Sequence, residues 1–428
     1  MSAPPSARTA AHALLVTVLR RHRPLDEALE SSAAIAALDE RDRGFVRLLV
    51  ATVMRRLGQI DALIGHCLER PLPHKAVIAQ DVLRLGVAQL VFVDTPAHAA
   101  VDTTVELARA LRADAHIKLV NAVMRRLDRE GRALAAAQDA PLLNTPGWLW
   151  RSWVAAYGED TARAIAAAHL REAPLDITVR GEPQAWAERL DARLLPTGSL
   201  RREGGGNVAL LPGYDEGAWW VQDAAAALPA RLLGAVAGLT VADLCAAPGG
   251  KAAQLAAAGA RVIAIDRAPR RLQRLEENLR RLDLRAETVA ADAAEWRPSE
   301  PLDAVLLDAP CSATGTLRRH PDVARLKTPA DIARLSQIQQ RLLRNAVQML
   351  KPGGRLVYCV CSLQPEEGSD QIEALLAEGA PVRRVPIDPA ELGVRGAVTP
   401  EGELRTFPHL LADAGGMDAF YGARLERL

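Results

Sequence analysis

Three short segments in the second half of the chain hold the residues best suited to chemistry: LCAAPGGK at 244–251, LLDAPCSATG at 306–315 and VYCVCS at 357–362. Each is an apolar run that reads as a strand and then breaks into a cysteine-bearing loop, and open α/β sheets place their ligands at the carboxyl ends of strands. Cys245, Cys311 and Cys361 are therefore expected to be neighbours in space. With Cys67 and Cys359 they make five cysteines, too few for a disulfide scaffold and better suited to nucleophilic work in a reducing compartment. Cys359 and Cys361 form a Cys-x-Cys pair, but no second pair at zinc spacing accompanies it, so no metal is expected.

The glycines of AAPGGK stand where a strand turns into a helix, a place where backbone N–H groups can approach a ligand closely. Lys251 at that helix start opposes the dipole and calls for an anionic partner such as a carboxylate. A Walker loop is excluded, because Cys245 takes the first glycine position and Ala252 follows the lysine; no G-x-G-x-x-G is present either. Asp266 closes the next apolar strand, where a carboxylate can accept both ribose hydroxyls of an adenosine cofactor. Asp292 follows the third strand, in reach of an adenine amino group or simply forming a turn. Asp308 ends the run DAVLLD just before Ala309-Pro310-Cys311 and is expected to be partly buried and functional.

These residues need a scaffold, and the chain has ample material for one: 428 residues, 49% hydrophobic and 25% charged, enough for two or three domains. Residues 6–132 repeat apolar positions at three and four, which predicts an all-α domain over 1–140. An alanine-rich stretch then ends in a polar break at Asn144-Thr145-Pro146, and a second, mixed unit is expected over 146–235. From 236 to 428 strands and helices alternate: strands at 240–245, 261–266, 286–290, 303–308, 354–360 and 419–425, with helices at 251–258, up to Arg281, 330–350 and 366–378. This pattern predicts a doubly wound, largely parallel sheet covered on both faces. No secretory signal and no membrane-length apolar run is evident, so a soluble cytoplasmic protein is expected; a monomer is expected as well.

A net charge of +1 does not announce a nucleic-acid binder. Basic residues nevertheless cluster at Arg41, Arg43, Arg47, Arg55 and Arg56, and at Lys118, Arg125, Arg126, Arg129 and Arg132. Each cluster alone reads as a solvated helix face. Trp148, Trp150 and Trp153 are spaced for packing rather than for stacking on bases.

Taken together, DLCAAPGGK, DAPCSATGTLRRHPD and VYCVCS resemble the Sun-type RNA cytosine-C5 methyltransferases, enzymes that use S-adenosylmethionine on a Rossmann-like sheet. LPGYDEGAWWVQDAAAALPARLL at 211–233 resembles that family's segment before the catalytic motifs. PAHAAVDTTVELAR and KLVNAVMRRL resemble a NusB-like RNA-binding domain. The resemblance spans nearly the whole chain and implies an all-α NusB-like domain, a small α+β linker domain and a C-terminal α/β Rossmann-like methyltransferase domain. It also implies methylation of carbon 5 of a cytosine in small-subunit (16S) ribosomal RNA through a covalent cysteine adduct.

Residue by residue, the resemblance has Cys245, Ala246, Ala247, Pro248, Gly249, Gly250 and Lys251 line the methionine end of S-adenosylmethionine. Asp266 holds the ribose, Asp292 lies near the adenine and Asp308 sits at the junction of cofactor and target base. Cys361 is the nucleophile and Cys311 assists release. Pro365 opens a predicted helix whose dipole would favour a thiolate at Cys361. Arg318, Arg319 and His320 follow the Pro-Cys loop and are expected to meet phosphates near the target base, with Lys118, Arg125 and Arg126 holding flanking RNA. Val360 and Cys359 depart from the family's usual residues before the nucleophile, and Ala419 replaces a glycine near the C-terminus. Two other readings stand beside this one. A DNA cytosine-C5 methyltransferase would attack with Cys311, and Cys361 speaks against it. A non-enzymatic RNA-binding or antitermination factor is what the N-terminal half alone suggests, and the carboxylates with both cysteines speak against that.

Overall fold

A computed structural model describes residues 6–204 and 206–428. The chain divides into two compact units, Met1–Arg171 with Leu317–Lys327, and Glu172–Thr316 with Thr328–Leu428. The first five residues, within the expected 1–140 domain, and Gly205 lie outside the described residues.

The first unit is helical. Its spine is the helix Glu40–Cys67, opened by Asp39, whose carboxylate accepts from Asp42 N at 2.7 Å. Val46, Leu49, Val50, Val53, Leu57, Ile60 and Ile64 recur on one side of it and are buried. They pack with Leu14, Leu15 and Val18 from Ala7–Arg21, Leu83 and Val87 from Val77–Val87, and Val120, Met124 and Leu127 from Ile117–Ala137. This is the helical period of the sequence realised as a single core.

The expected boundary at residues 140–146 is not where this unit ends. Helices Gly147–Tyr157 and Glu159–His169 belong to it, with Leu149 and Trp153 fully buried. The polar break is an interior turn: Asn144 is buried, accepting from Gln59 N at 3.1 Å and donating to Gln59 Oε1 at 3.0 Å. Residues 317–327, which by sequence follow the Pro-Cys loop, also fold into this unit. Asp322 accepts from Leu25 N at 2.9 Å, the Arg318 carbonyl accepts from Arg55 at 2.9 Å, and Arg325 donates to the Asn144 carbonyl at 2.8 Å.

The second unit holds two sheets. In the smaller, β1 (Leu175–Val179), β2 (Arg193–Leu194), β3 (Leu200–Arg202) and β4 (Trp219–Val221) pair antiparallel in the order β2-β3-β1-β4. A buried pair anchors it: Arg201 reaches Asp176 at 2.6 and 2.7 Å and donates to the carbonyls of Ala414 and Gly416. The residues expected as a separate 146–235 domain are thus divided, the helices going to the first unit and this sheet to the second.

The larger sheet contains β5 (Thr240–Leu244), β6 (Arg261–Asp266), β7 (Glu287–Ala290), β8 (Leu302–Asp308), β9 (Leu350–Val360), β10 (Val382–Arg384), β11 (Leu404–Arg405) and β12 (Tyr421–Arg427). Its order is β10-β12-β9-β8-β5-β6-β7, with β11 paired to β12. Strands β5 to β9 run parallel to one another, while β12 pairs antiparallel with β9 and with β10 and β11. Alternate residues serve opposite faces. Val241, Val262, Leu306 and Val357 pack against Leu255, Leu272, Leu275 and Leu279 of helices Gly250–Ala257 and Pro269–Arg281. Leu244, Ile265, Leu307, Leu356 and Tyr358 pack against Leu342, Leu343, Ala346 and Leu375 of helices Pro329–Gln348 and Ser369–Ala377. Burial on both faces explains why these strands read as near-continuous apolar runs.

Candidate active site

The strand order puts β5, β8 and β9 side by side at the centre of the sheet, so their carboxyl ends converge. Cys311, three residues past β8, and Cys361, directly after β9, bring their sulfurs to 3.4 Å. No disulfide links them. Cys311 is pushed well above the usual thiol range by its contact with Cys361, by burial, and by the charges of Cys361 and Glu367. Cys359 is fully buried, and burial together with Asp308 pushes its thiol well up, which makes it a packed strand residue. Cys245 takes a left-handed backbone (φ 63°) at the end of β5, and burial pushes its thiol up to about 12.

Lys251 has the anionic partner its position called for. Its ammonium lies 2.7 Å from Asp308 Oδ2 with the lysine side chain 9% exposed, and Asp308 Oδ1 receives the Cys359 thiol at 3.5 Å. Burial opposes the charge on Lys251, but Asp308 and the neighbouring acidic groups outweigh it and raise its pKa. Gly249 is left-handed (φ 104°), and a Cβ there would fall 2.8 Å from Leu275 Cγ, so this turn needs glycine.

A cavity of about 460 Å³ opens beside this loop. Ala246 to Lys251 and Asp308 line it, joined by Asp243, Gln222 and Asp223. Asp243 was absent from the residues singled out by sequence, although an aspartate within the apolar strand TVADL was visible there. It is fully buried, neither carboxylate oxygen has a hydrogen-bond partner of good geometry, and burial with repulsion from Asp308 pushes its pKa up to about 8.

Cys245, Asp266 and Asp292 do not line that cavity. Asp266 ends β6 as expected, but its carboxylate accepts from Ala268 N at 3.0 Å and Ala247 N at 3.3 Å and pairs with Arg271 at 3.3 Å. Asp292 is exposed and accepts from Ala294 N at 2.9 Å, the turn-forming geometry. The helix expected after Pro365 is a single turn, Pro365–Glu367, ahead of Ser369–Ala377. A buried carboxylate, Glu367, sits there and counters the expected dipole effect; sequence reasoning had passed it over. Ala419 is buried, and its N–H donates to the Gly315 carbonyl at 2.9 Å, bracing the Pro-Cys loop.

The basic residues separate. Arg318 is 1% exposed within the first unit, which leaves it no surface for a phosphate and corrects the expectation of an RNA contact. His320 pairs with Asp26 at 3.0 Å, and Arg319 is half-buried. Lys118 and Arg125 are exposed, whereas Arg126 is paired with Glu130 at 2.5 Å. Trp153 is core, with its ring 5.4 Å from that of His169.

Residues 230–426 match the family model described as 16S rRNA methyltransferase RsmB/F, and residues 5–129 match the NusB family. The ribosomal RNA small subunit methyltransferase B of Vibrio cholerae is 36% identical over 440 residues, covering 99% of this chain and 98% of that protein. The protein of the same name from Pseudomonas putida is 37% identical, covering 98% of each. Among solved structures, PH0851 has the same fold, with a TM-score of 0.73 at 22% identity over the whole of both chains. With its motifs, its sheet and its relatives in agreement over almost the full length, the chain belongs to the RsmB/F family of 16S rRNA methyltransferases.

Proposed function

We propose that this enzyme methylates carbon 5 of a cytosine in small-subunit ribosomal RNA, with S-adenosylmethionine as donor and Cys361 as nucleophile. The observation that carries the reading is the pair of strand-end thiols, 3.4 Å apart, in loops adjoining the Lys251–Asp308 ion pair. The cavity beside that ion pair fits the donor. Its buried Asp243, with no hydrogen-bond partner of good geometry, would ionise against a cation such as the methionine ammonium, and its Gly249 turn offers backbone without a side chain. Ala246 to Lys251, which line the cavity, would hold the methionine end beside Cys245, while the ribose and adenine would reach beyond it to Asp266 and Asp292 at the ends of the next two strands. When bound, S-adenosylmethionine supplies an electrophilic methyl group.

The chain's own residues make the base ready to receive it. Carbon 5 of cytosine is a weak nucleophile, so the Cys361 thiolate adds to carbon 6; the S–C6 bond forms and the π pair becomes available at carbon 5. The target base must be single-stranded or flipped out to be reached. Asp308, 31% exposed and held by Lys251, accepts from the exocyclic amine and orients the ring. Once carbon 5 carries the methyl group, its proton passes to a base, the C5–C6 double bond re-forms and the S–C6 bond breaks. Cys311 serves that deprotonation directly or as a relay, since it lies against the sulfur that departs. Lys118 and Arg125 offer exposed charge to flanking phosphates.

A ribosomal RNA substrate goes with a cytoplasmic enzyme, which we take to act as a monomer; no described helix is long and apolar enough to cross a membrane. Transfer of labelled methyl groups to small-subunit ribosomal RNA, located by bisulfite mapping, tests the reading. Incorporation into RNA and not DNA is expected; incorporation into DNA alone would overturn it.

A further inference from the structure

We propose that Glu367 is a positioning residue for methyl transfer, a single buried carboxylate that fixes the spacing of the two thiols by holding the serine that follows each of them. The proposal rests on the reading that Cys361 attacks and Cys311 assists. Ser312 follows Cys311 and Ser362 follows Cys361, fifty residues apart in sequence. Glu367 Oε1 accepts from Ser312 N at 2.8 Å and Gln339 Nε2 at 3.2 Å. Its Oε2 accepts from both serine hydroxyls, each at 2.5 Å. Glu367, Ser312 and Ser362 are all completely buried.

The clasp is reinforced around this carboxylate. Thr314 Oγ1 lies 3.2 Å from Ser362 Oγ and accepts from Leu363 N at 3.0 Å, while Gly315 N donates to the Cys361 carbonyl at 3.0 Å. The Glu367 carbonyl accepts from the Tyr358 hydroxyl at 2.6 Å, so its backbone is fixed to β9. Burying a carboxylate is costly unless its lone pairs are filled, and four donors fill them here. An apolar contact would join two loops without that cost. What the carboxylate adds is direction, since every bond it accepts leads to a residue beside a thiol or to Gln339, which also holds the Pro310 carbonyl at 3.0 Å. Its charge adds a second effect, raising the pKa of Cys311 and so making its thiolate a stronger base for the deprotonation that follows methyl transfer.

Glu367→Gln tests both effects at constant volume. The amide keeps one acceptor and turns the other into a donor facing donors, which opens the clasp and removes the charge. Expected for the full-length enzyme is a loss of about 100-fold in single-turnover methylation, the scale of an ångström of misplacement. S-adenosylmethionine and RNA affinities should stay within twofold. In a Cys361→Ala background, Glu367→Gln should move the pH midpoint of Cys311 alkylation down, because a negative neighbour has gone. A purely structural role would leave that midpoint in place. A folded Glu367→Gln enzyme with wild-type turnover and an unmoved Cys311 profile would overturn the proposal. If this variant does not fold, Ser312→Ala/Ser362→Ala removes both hydroxyl donors with the carboxylate kept, and turnover within threefold of wild type would refute it equally. Failure of the underlying reading is separate: it shows as methylation by Cys361→Ala whatever Glu367 does.

Discussion

Replacing Asp243 by asparagine should make the ligand-free protein more stable and the enzyme worse. Asp243 is fully buried at the end of β5, and burial with repulsion from Asp308 lifts its pKa from 3.8 to about 8. Between those values the folded protein keeps a proton that the unfolded chain has released. The sign follows: this stabilising protonation is complete below about pH 4, and stability falls as pH rises towards 8. At 1.36 kcal/mol per unit, four units come to roughly 5 kcal/mol, and relaxation with water penetration reduces that to roughly 2–3 kcal/mol at pH 8 and roughly 1 at pH 5. Asparagine has the same shape and no proton to lose. Urea unfolding of Asp243→Asn and parent at both pH values should show the variant gaining stability mainly at pH 8. Calorimetric titration with S-adenosylmethionine should show affinity lower by roughly 10–100-fold, the worth of one charge-assisted hydrogen bond. Equal stability of the two proteins at pH 8, or unchanged cofactor affinity, would refute the assignment of Asp243 as the cation's partner.

Two further outcomes follow from the same geometry. Lys251→Met leaves Asp308 without its cation; because Asp308 is partly exposed, the stability cost should be about 2 kcal/mol, below the 3–5 typical of fully buried pairs, and methylation should be lost while RNA affinity by filter binding is retained. Arg318→Ala should lower the melting temperature of the helical unit and leave the salt dependence of RNA binding unchanged, since Arg318 is buried there; a salt slope reduced by about one with normal melting would restore it as a phosphate contact.

The central sheet was legible because its parallel strands are buried on both faces and so appear as unbroken apolar runs ending at recognisable turns. The same runs announced Cys311 and Cys361 as neighbours, and the unfavourable placement of Lys251 at a helix start announced a carboxylate, which proved to be Asp308. What escaped depends on long-range partners. Asn144-Thr145-Pro146 has the composition of a linker, and only its hydrogen bonds to Gln59 show it to be interior. Residues 317–327 look like a basic loop near the target base, yet Asp322 and Arg325 tie them to Leu25 and Asn144. The smaller sheet is made of strands of two to five residues, too short to impose a period, and its anchor is the Arg201–Asp176 pair. Ser312, Ser362 and Glu367 look like ordinary turn residues in sequence, and their common bonding exists only once β8 and β9 lie side by side.

Which sulfur attacks is decided most directly by incubating Cys311→Ala and Cys361→Ala, each with S-adenosylmethionine and small-subunit ribosomal RNA, and resolving the products on a denaturing gel. If Cys361 is the nucleophile, Cys311→Ala forms the adduct, releases it slowly and accumulates a denaturant-resistant protein–RNA species, while Cys361→Ala forms no adduct and transfers no methyl group. A stable adduct with Cys361→Ala and none with Cys311→Ala would contradict the assignment and make Cys311 the attacking thiol.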